Sequence, residues 1–184
     1  MTFHKTQLDG IVLIDLDSRN DERGNFFRTY CEHEFSANGL NTRWLQMNAT
    51  RTLQKGSVRG LHWQAEPQPE IKVIRCSSGT IWDVVVDIRP GSETFGRWLA
   101  FELSPARPQL LYVGFGFAHG FQCLNTDCEL NYMMSEFYDP DLARGIRWDD
   151  PKLDIPWPLP VSVISDRDRN LPCLESLVPL LAKT

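Results

Sequence analysis

Between Thr80 and Ser92 the chain reads TIWDVVVDIRPGS, and its side chains divide between the two sides of an extended chain. Trp82, Val84, Val86 and Ile88 share one side of an extended chain, and Ile81, Asp83, Val85 and Asp87 share the other. The segment is predicted to be a strand that ends in a turn at Arg89-Pro90-Gly91-Ser92. IKVIRCSSG, RWLAFELSP, QLLYVGFGFAHGFQCL and CELNYMMSEFY read the same way, as short β-rich runs between Gly, Pro, Ser and Asp punctuation. Helix is expected only in CEHEFSANG, with Gly39 as its C-cap, and in LPCLESLVPLL near the end. The proline-rich DPKLDIPWPLP is expected to wrap the surface in an extended conformation. Many closely spaced strands with few helices predict an all-β sandwich, barrel or jelly roll. With no internal repeat and no linker, residues 1–184 are expected to form a single domain.

A net charge of −5 argues against general nucleic-acid binding, which needs a basic surface to displace counterions. A few arginines gathered locally can still hold an anionic ligand. The opening MTFHKTQLDGIVLIDL lacks the long apolar core of a signal peptide, and no apolar run is long enough to span a bilayer. The five cysteines are odd in number and form no CxxC pair, which points to buried thiols in a reducing cytoplasm rather than disulfides or a zinc site.

His62, in GSVRGLHWQ, sits in a predicted strand between Leu61 and Trp63. A lone histidine there is more often structural than catalytic. In a regular strand Arg59 would lie on the face opposite His62, but Gly60 permits a bulge that redirects one of them. His119, in GFAHGF, is flanked by glycines that let a ligand approach closely. Lys72 lies among apolar neighbours in EIKVIRC; if it points inward it is a cation awaiting an anion. Tyr132 in LNYMMS and Asp168 in ISDRDR, taken singly, read as a packing residue and a loop carboxylate.

Together these residues resemble the dTDP-4-dehydrorhamnose 3,5-epimerase family. The resemblance is carried by DERGNFF (21–27), VRGLHWQ (58–64), IKVIR (71–75), GTIWDVVVDIRPGSETFGRW (79–98), GFAHGF (116–121), RGIRWDDPKLDIPWP (144–158) and ISDRD (164–168). It implies a cupin-type jelly-roll barrel that acts as a homodimer without metal or other cofactor. Metal-binding cupins usually offer two histidines separated by one residue; here the position two after His62 is Gln64, a poor metal ligand. The implied substrate is a nucleotide-diphosphate-linked 4-keto-6-deoxy sugar. The resemblance makes His62 the base, Tyr132 the acid, Asp168 the carboxylate that orients His62, and Lys72 the cation near the sugar O4. Arg59, His119, Gln46 and Asn48 match residues that contact the sugar and diphosphate. Arg23, Phe26 and Tyr138 match the nucleotide site. A 3,4-ketoisomerase on the same scaffold, a metal-dependent cupin oxygenase and a non-catalytic sugar-binding barrel are the competing readings.

The nucleotide end departs from the family pattern, with Arg28 and Ala143 where glutamates are usual. Thymine N3 donates a hydrogen bond and suits a carboxylate, whereas cytosine N3 accepts one and suits arginine. Two expectations follow. Either Arg28 meets the base and favours a CDP-linked sugar, or it turns outward and dTDP is kept.

Overall fold

The computed structural model describes residues 1–181, with side chains described through residue 178. β1 (Thr2–Lys5) and β2 (Ile11–Asp15) precede a small hairpin of β3 (Arg19–Asp21) and β4 (Gly24–Phe26), followed by α1 (Glu32–Ala37). Then come β5 (Gln46–Thr52), β6 (Val58–Gln64), β7 (Lys72–Ser78), β8 (Ile81–Asp87) and β9 (Trp98–Leu103). β10 (Gln109–Val113), β11 (Phe117–Cys123), β12 (Cys128–Met134) and β13 (Ala143–Gly145) complete the strands. α2 (Asp166–Arg169) and α3 (Leu174–Leu181) end the described chain. The run QLLYVGFGFAHGFQCL is thus two strands, parted at Gly114–Gly116, where Gly116 adopts a φ of +79°.

Six strands form one sheet in the order β1-β2-β10-β7-β12-β5, and five form another in the order β13-β6-β11-β8-β9. No ladder joins the two sheets among the described residues, so the jelly roll is a pair of facing sheets rather than a barrel sealed all round. Their inner faces meet in a core of Ile11, Ile74, Leu111, Val113 and Leu130 against Ile81, Val85, Phe117 and Phe121.

The outer faces are covered too. Val84, Val86 and Ile88 pack under Ile146, Leu153, Ile155 and Leu174, so the proline-rich segment wraps the five-stranded sheet, but through a turn at 151–153 rather than extended throughout. Indole N–H groups fasten it: Trp98 donates to the Leu153 carbonyl at 2.9 Å and Trp157 to that of Trp148 at 2.8 Å. On the other sheet, α1 drives Phe35, fully buried, against Ile14, Val73 and Leu110. Burial of both faces explains why β8 is apolar on nearly every residue.

The turn after β8 is built on one carboxylate. Asp87 accepts from the Arg89 backbone N–H, from the Arg89 guanidinium at 2.7 Å, and from the hydroxyls of Ser92 and Thr94 at 2.7 and 2.6 Å. Burial pushes the Asp87 carboxyl up, but these donors win and bring it down to about 2. Because the folded pKa lies below the unfolded one, the stabilisation is complete above the ordinary carboxylate range and is lost as pH falls from 4 towards 2. Denaturant unfolding across this window should show a loss of about 2 kcal/mol from this group. Asp87→Asn should flatten that part of the stability curve while lowering its plateau.

Candidate active site

A cavity of about 410 Å³ opens between the two sheets. β6 and β11 of the five-stranded sheet contribute Arg59, His62 and His119 to its lining, and β5, β7 and β12 of the six-stranded sheet contribute Asn48, Lys72 and Tyr132. The loop before α2 and α2 itself add Ile164, Ser165 and Asp168. An imidazole and a phenol therefore enter one cavity from facing sheets.

The bulge expected at Gly60 is what brings Arg59 and His62 together. His119 pairs with His62 and Phe121 with Arg59, so two steps along β11 match three along β6. Gly60 has a φ of +111°, and a Cβ there would stand 2.6 Å from the Gly120 Cα. Only glycine fits such a backbone approach.

His62 Nε2 lies 2.6 Å from Asp168 Oδ1, and the other Asp168 oxygen accepts from the Gly60 N–H at 3.2 Å. Asp168 is held in place because Ser165 caps α2, its hydroxyl accepting from the Asp168 N–H at 3.0 Å. Burial alone would raise the Asp168 carboxyl, yet the bonds from His62, Gly60 and Ser165 take it below the usual carboxylate range. An ionised Asp168 fixes the imidazole with its Nε2 proton directed at the carboxylate, which leaves Nδ1 free as a base.

Lys72 is buried and turned inward. Its ammonium donates to Glu70 at 2.8 Å, both side chains being less than a tenth exposed, and reaches the His62 carbonyl at 3.4 Å. Arg59 Nε donates to the Thr52 hydroxyl at 2.9 Å. Burial raises the Tyr132 hydroxyl well above the ordinary tyrosine range, with Asp83 reinforcing the shift and Arg59 and Thr50 opposing it. Tyr132 is thus a proton carrier at neutral pH. A protonated phenol, an imidazole paired with a carboxylate and a lysine around one cavity suit proton removal and return at a carbon next to a carbonyl.

The family model described as dTDP-4-dehydrorhamnose 3,5-epimerase matches residues 5–176. The chain belongs to this family. It is a sugar epimerase. The enzyme of the same description from Methanothermobacter thermautotrophicus is 42% identical over 171 residues, which are 91% of each chain. A Legionella pneumophila epimerase solved with dTDP-4-keto-L-rhamnose superposes with a TM-score of 0.92 at 34% identity, covering 98% of this chain and 96% of that one. A 3′-monoepimerase from Streptomyces bikiniensis, solved with dTDP-quinovose, gives 0.90 at 31% identity over 96% of this chain and 90% of that one.

Of the residues singled out in the sequence, the cavity of this epimerase gathers His62, Tyr132, Lys72, Asp168, Arg59, His119 and Asn48. Gln46 and Tyr138 stand beside it. Gln46 donates to Asn48 Oδ1 at 3.1 Å and accepts from the Tyr138 N–H at 3.2 Å, and the Tyr138 ring is exposed. Arg23, Phe26 and Arg28 do not line the cavity. Arg23 and Phe26 belong to the β3–β4 hairpin, where Arg23 grips Asp21 at 2.6 Å and Phe26 is 72% exposed. Arg28 turns its guanidinium to Glu34 at 2.9 Å. Gln64 ties loops together: its amide N–H donates to the Gln68 and Phe137 carbonyls, and its oxygen accepts from the Asp139 N–H. Sequence reasoning missed Asp83 and Glu70. Asp83 was visible only as a polar interruption on the inner side of β8, where it pairs with Phe121 and lies diagonal to His119.

Proposed function

We propose that the enzyme inverts C3 and C5 of a dTDP-linked 4-keto-6-deoxy sugar, with His62 as base and Tyr132 as acid. A C4 ketone acidifies the hydrogens on C3 and C5, because loss of either proton sends the bonding pair into an enolate with its charge on O4. His62 Nδ1 takes the proton on one face. The Tyr132 hydroxyl returns a proton to the same carbon from the other face, the enolate pair forms the new C–H bond, and O4 is again a ketone. Exchange with water then removes the proton from His62 and restores the one on Tyr132, so the reaction is a net isomerisation. Lys72 lies where it can meet the developing O4 charge, and Arg59, Asn48, Gln46 and His119 hold the sugar and diphosphate. The observation that carries this reading is the entry of His62 and Tyr132 into one cavity from opposite sheets.

The dTDP names of the relatives and the dTDP-sugar complexes of the solved structures above support a dTDP-linked rather than a CDP-linked sugar. We assign the working form to a homodimer. β5 is a sheet edge with Met47 72% exposed on it, and the exposed Arg23 and Phe26 have no ligand to hold unless a second copy brings them to a cavity. The working chain is then the single domain expected above, acting in the cytoplasm, a compartment in which five free thiols are at home. Among the described residues no helix is long and apolar enough to cross a membrane.

Incubation with dTDP-4-keto-6-deoxyglucose in heavy water, followed by proton NMR, tests the assignment. The expected product carries deuterium at C3 and C5, with both centres inverted. Deuterium at C3 alone would make the enzyme a monoepimerase, and a keto group moved to C3 would make it a ketoisomerase.

A further inference from the structure

Two histidine–carboxylate pairs stand side by side in this site. His62 and His119 are direct partners across β6 and β11, and each turns Nε2 to a carboxylate, His62 to Asp168 at 2.6 Å and His119 to Asp83 at 2.8 Å. In each pair Nδ1 is the ring nitrogen left over. His119 lines the cavity while Asp83 lies behind it, and Nδ1 of His119 has no protein partner among the described residues.

The two pairs differ in their surroundings. The His62 side chain is 36% exposed, and its carboxylate has the extra Gly60 N–H and a capped helix behind it. Asp83 has no exposure at all, His119 has 6%, and Asp83 Oδ1 has no hydrogen-bond partner among the described residues. A bare carboxylate oxygen sealed from water strongly disfavours the ionised form unless a counter-charge is adjacent. The directions agree: burial raises the Asp83 carboxyl against the pull of His119 and Lys72, whereas Asp168 is lowered. Similar pairs pushed apart by environment are how one fold supplies both an acid and a base.

We propose that Asp83 is a positioning residue that keeps His119 a hydrogen-bond donor towards the substrate. The buried pair is electrically neutral and carries one shared proton. If Nε2 holds that proton, His119 is an imidazolium facing a carboxylate; if Oδ2 holds it, a neutral imidazole faces a carboxylic acid. In both forms Nδ1 bears a hydrogen. The anionic alternative, a carboxylate with a neutral imidazole protonated on Nε2, would leave Nδ1 a lone pair and make it an acceptor. His62 takes that anionic form beside the ionised Asp168, so two like pairs perform opposite tasks.

The groups around the buried pair are Arg59 and His62 on β6, Lys72 and Cys76 on β7, and Tyr132 on β12. Burial holds the Tyr132 hydroxyl protonated and pushes the Cys76 thiol up to about 12, so neither adds charge at neutral pH. Lys72 and Arg59 are the cations that would favour the anionic pair. Lys72 is already matched by Glu70 at 2.8 Å, which weakens its pull on Asp83. The donor faces the sugar in the epimerase reading, on which the consequence for turnover, but not the protonation state itself, depends.

The chain has four histidines, so long-range proton–nitrogen correlation spectra of the uniformly labelled, ligand-free protein can be assigned with single His→Gln variants. At pH 7.5 the expected result is a protonated Nδ1 for His119 and an unprotonated Nδ1 for His62. An unprotonated Nδ1 on His119 in the wild-type protein would overturn the proposal. In Asp83→Ala the Nδ1–H signature should be lost, and KM for dTDP-4-keto-6-deoxyglucose should rise about tenfold or more while kcat changes less. A purely structural Asp83 would lower the melting temperature and leave the spectrum and KM of the folded fraction as they were. The wild-type spectrum decides the matter even if Asp83→Ala does not fold. It also needs no turnover, so an inactive wild-type enzyme would count against the epimerase reading alone.

Discussion

His62→Ala is expected to lose both solvent exchange of the sugar C3 and C5 hydrogens and formation of the inverted product. Proton transfer by a positioned side chain contributes about 10²–10⁴-fold, and removal of this base should cost at least that range. The loss appears in kcat rather than KM, because the imidazole acts on the hydrogen that leaves and not on the diphosphate that anchors the substrate. The fold should survive. His62 lies in the cavity wall with its side chain 36% exposed, and alanine there opens space to solvent rather than a void in the core. The partner carboxylate, Asp168, keeps the Gly60 N–H and the Ser165 cap in the variant. Exchange measured by NMR in heavy water, beside circular dichroism to show folding, checks this. Retention of exchange at wild-type rate would remove His62 from the role of base.

Tyr132→Phe should separate two events that the wild-type enzyme joins. The base still removes a proton and can return a solvent-derived one to the same face, so deuterium should enter the sugar with retention of configuration. Inversion needs a donor on the other face, and phenylalanine has none. The inverted product should therefore fall by about 10² or more while exchange falls much less. The ring keeps its packing, because its edge-on contact with His119, centroids 6.3 Å apart, involves carbon rather than the hydroxyl. Equal loss of exchange and inversion would contradict the assignment of Tyr132 as the final proton donor.

Much of this arrangement was legible in the residues, and the reasons differ from element to element. β8 was plain because five of its seven residues are apolar and they are shared between two buried faces. The turn after it was plain from Pro90 and Gly91, though not that Asp87 is the hub of its hydrogen bonds. β5 left almost no trace: QMNATRT is an exposed sheet edge whose inward residues, Asn48, Thr50 and Thr52, line a polar cavity, so no apolar alternation marks it. The bulge at Gly60 was readable as a permission only; the approach of Gly120 makes it a requirement.

Within the site, His62, Lys72, Tyr132 and Asp168 came from the family resemblance, since spacing cannot show that residues 106 positions apart meet at 2.6 Å. Asp83 and Glu70 escaped because a carboxylate in a strand, or two residues before a lysine, usually faces water. Only burial marks them as partners. Arg28 shows the opposite limit. Its charge was visible, but not its pairing with Glu34 on α1.

The central claim is that His62 and Tyr132 work on opposite faces of one sugar ring. A crystal structure of the enzyme with a dTDP-linked 4-keto-6-deoxy sugar tests it most directly. The expected result places the ring in the cavity between the sheets, with His62 Nδ1 and the Tyr132 hydroxyl each within about 3.5 Å of C3 or C5 from opposite sides. A ring with both groups on the same face, or one seated outside the cavity, would contradict it.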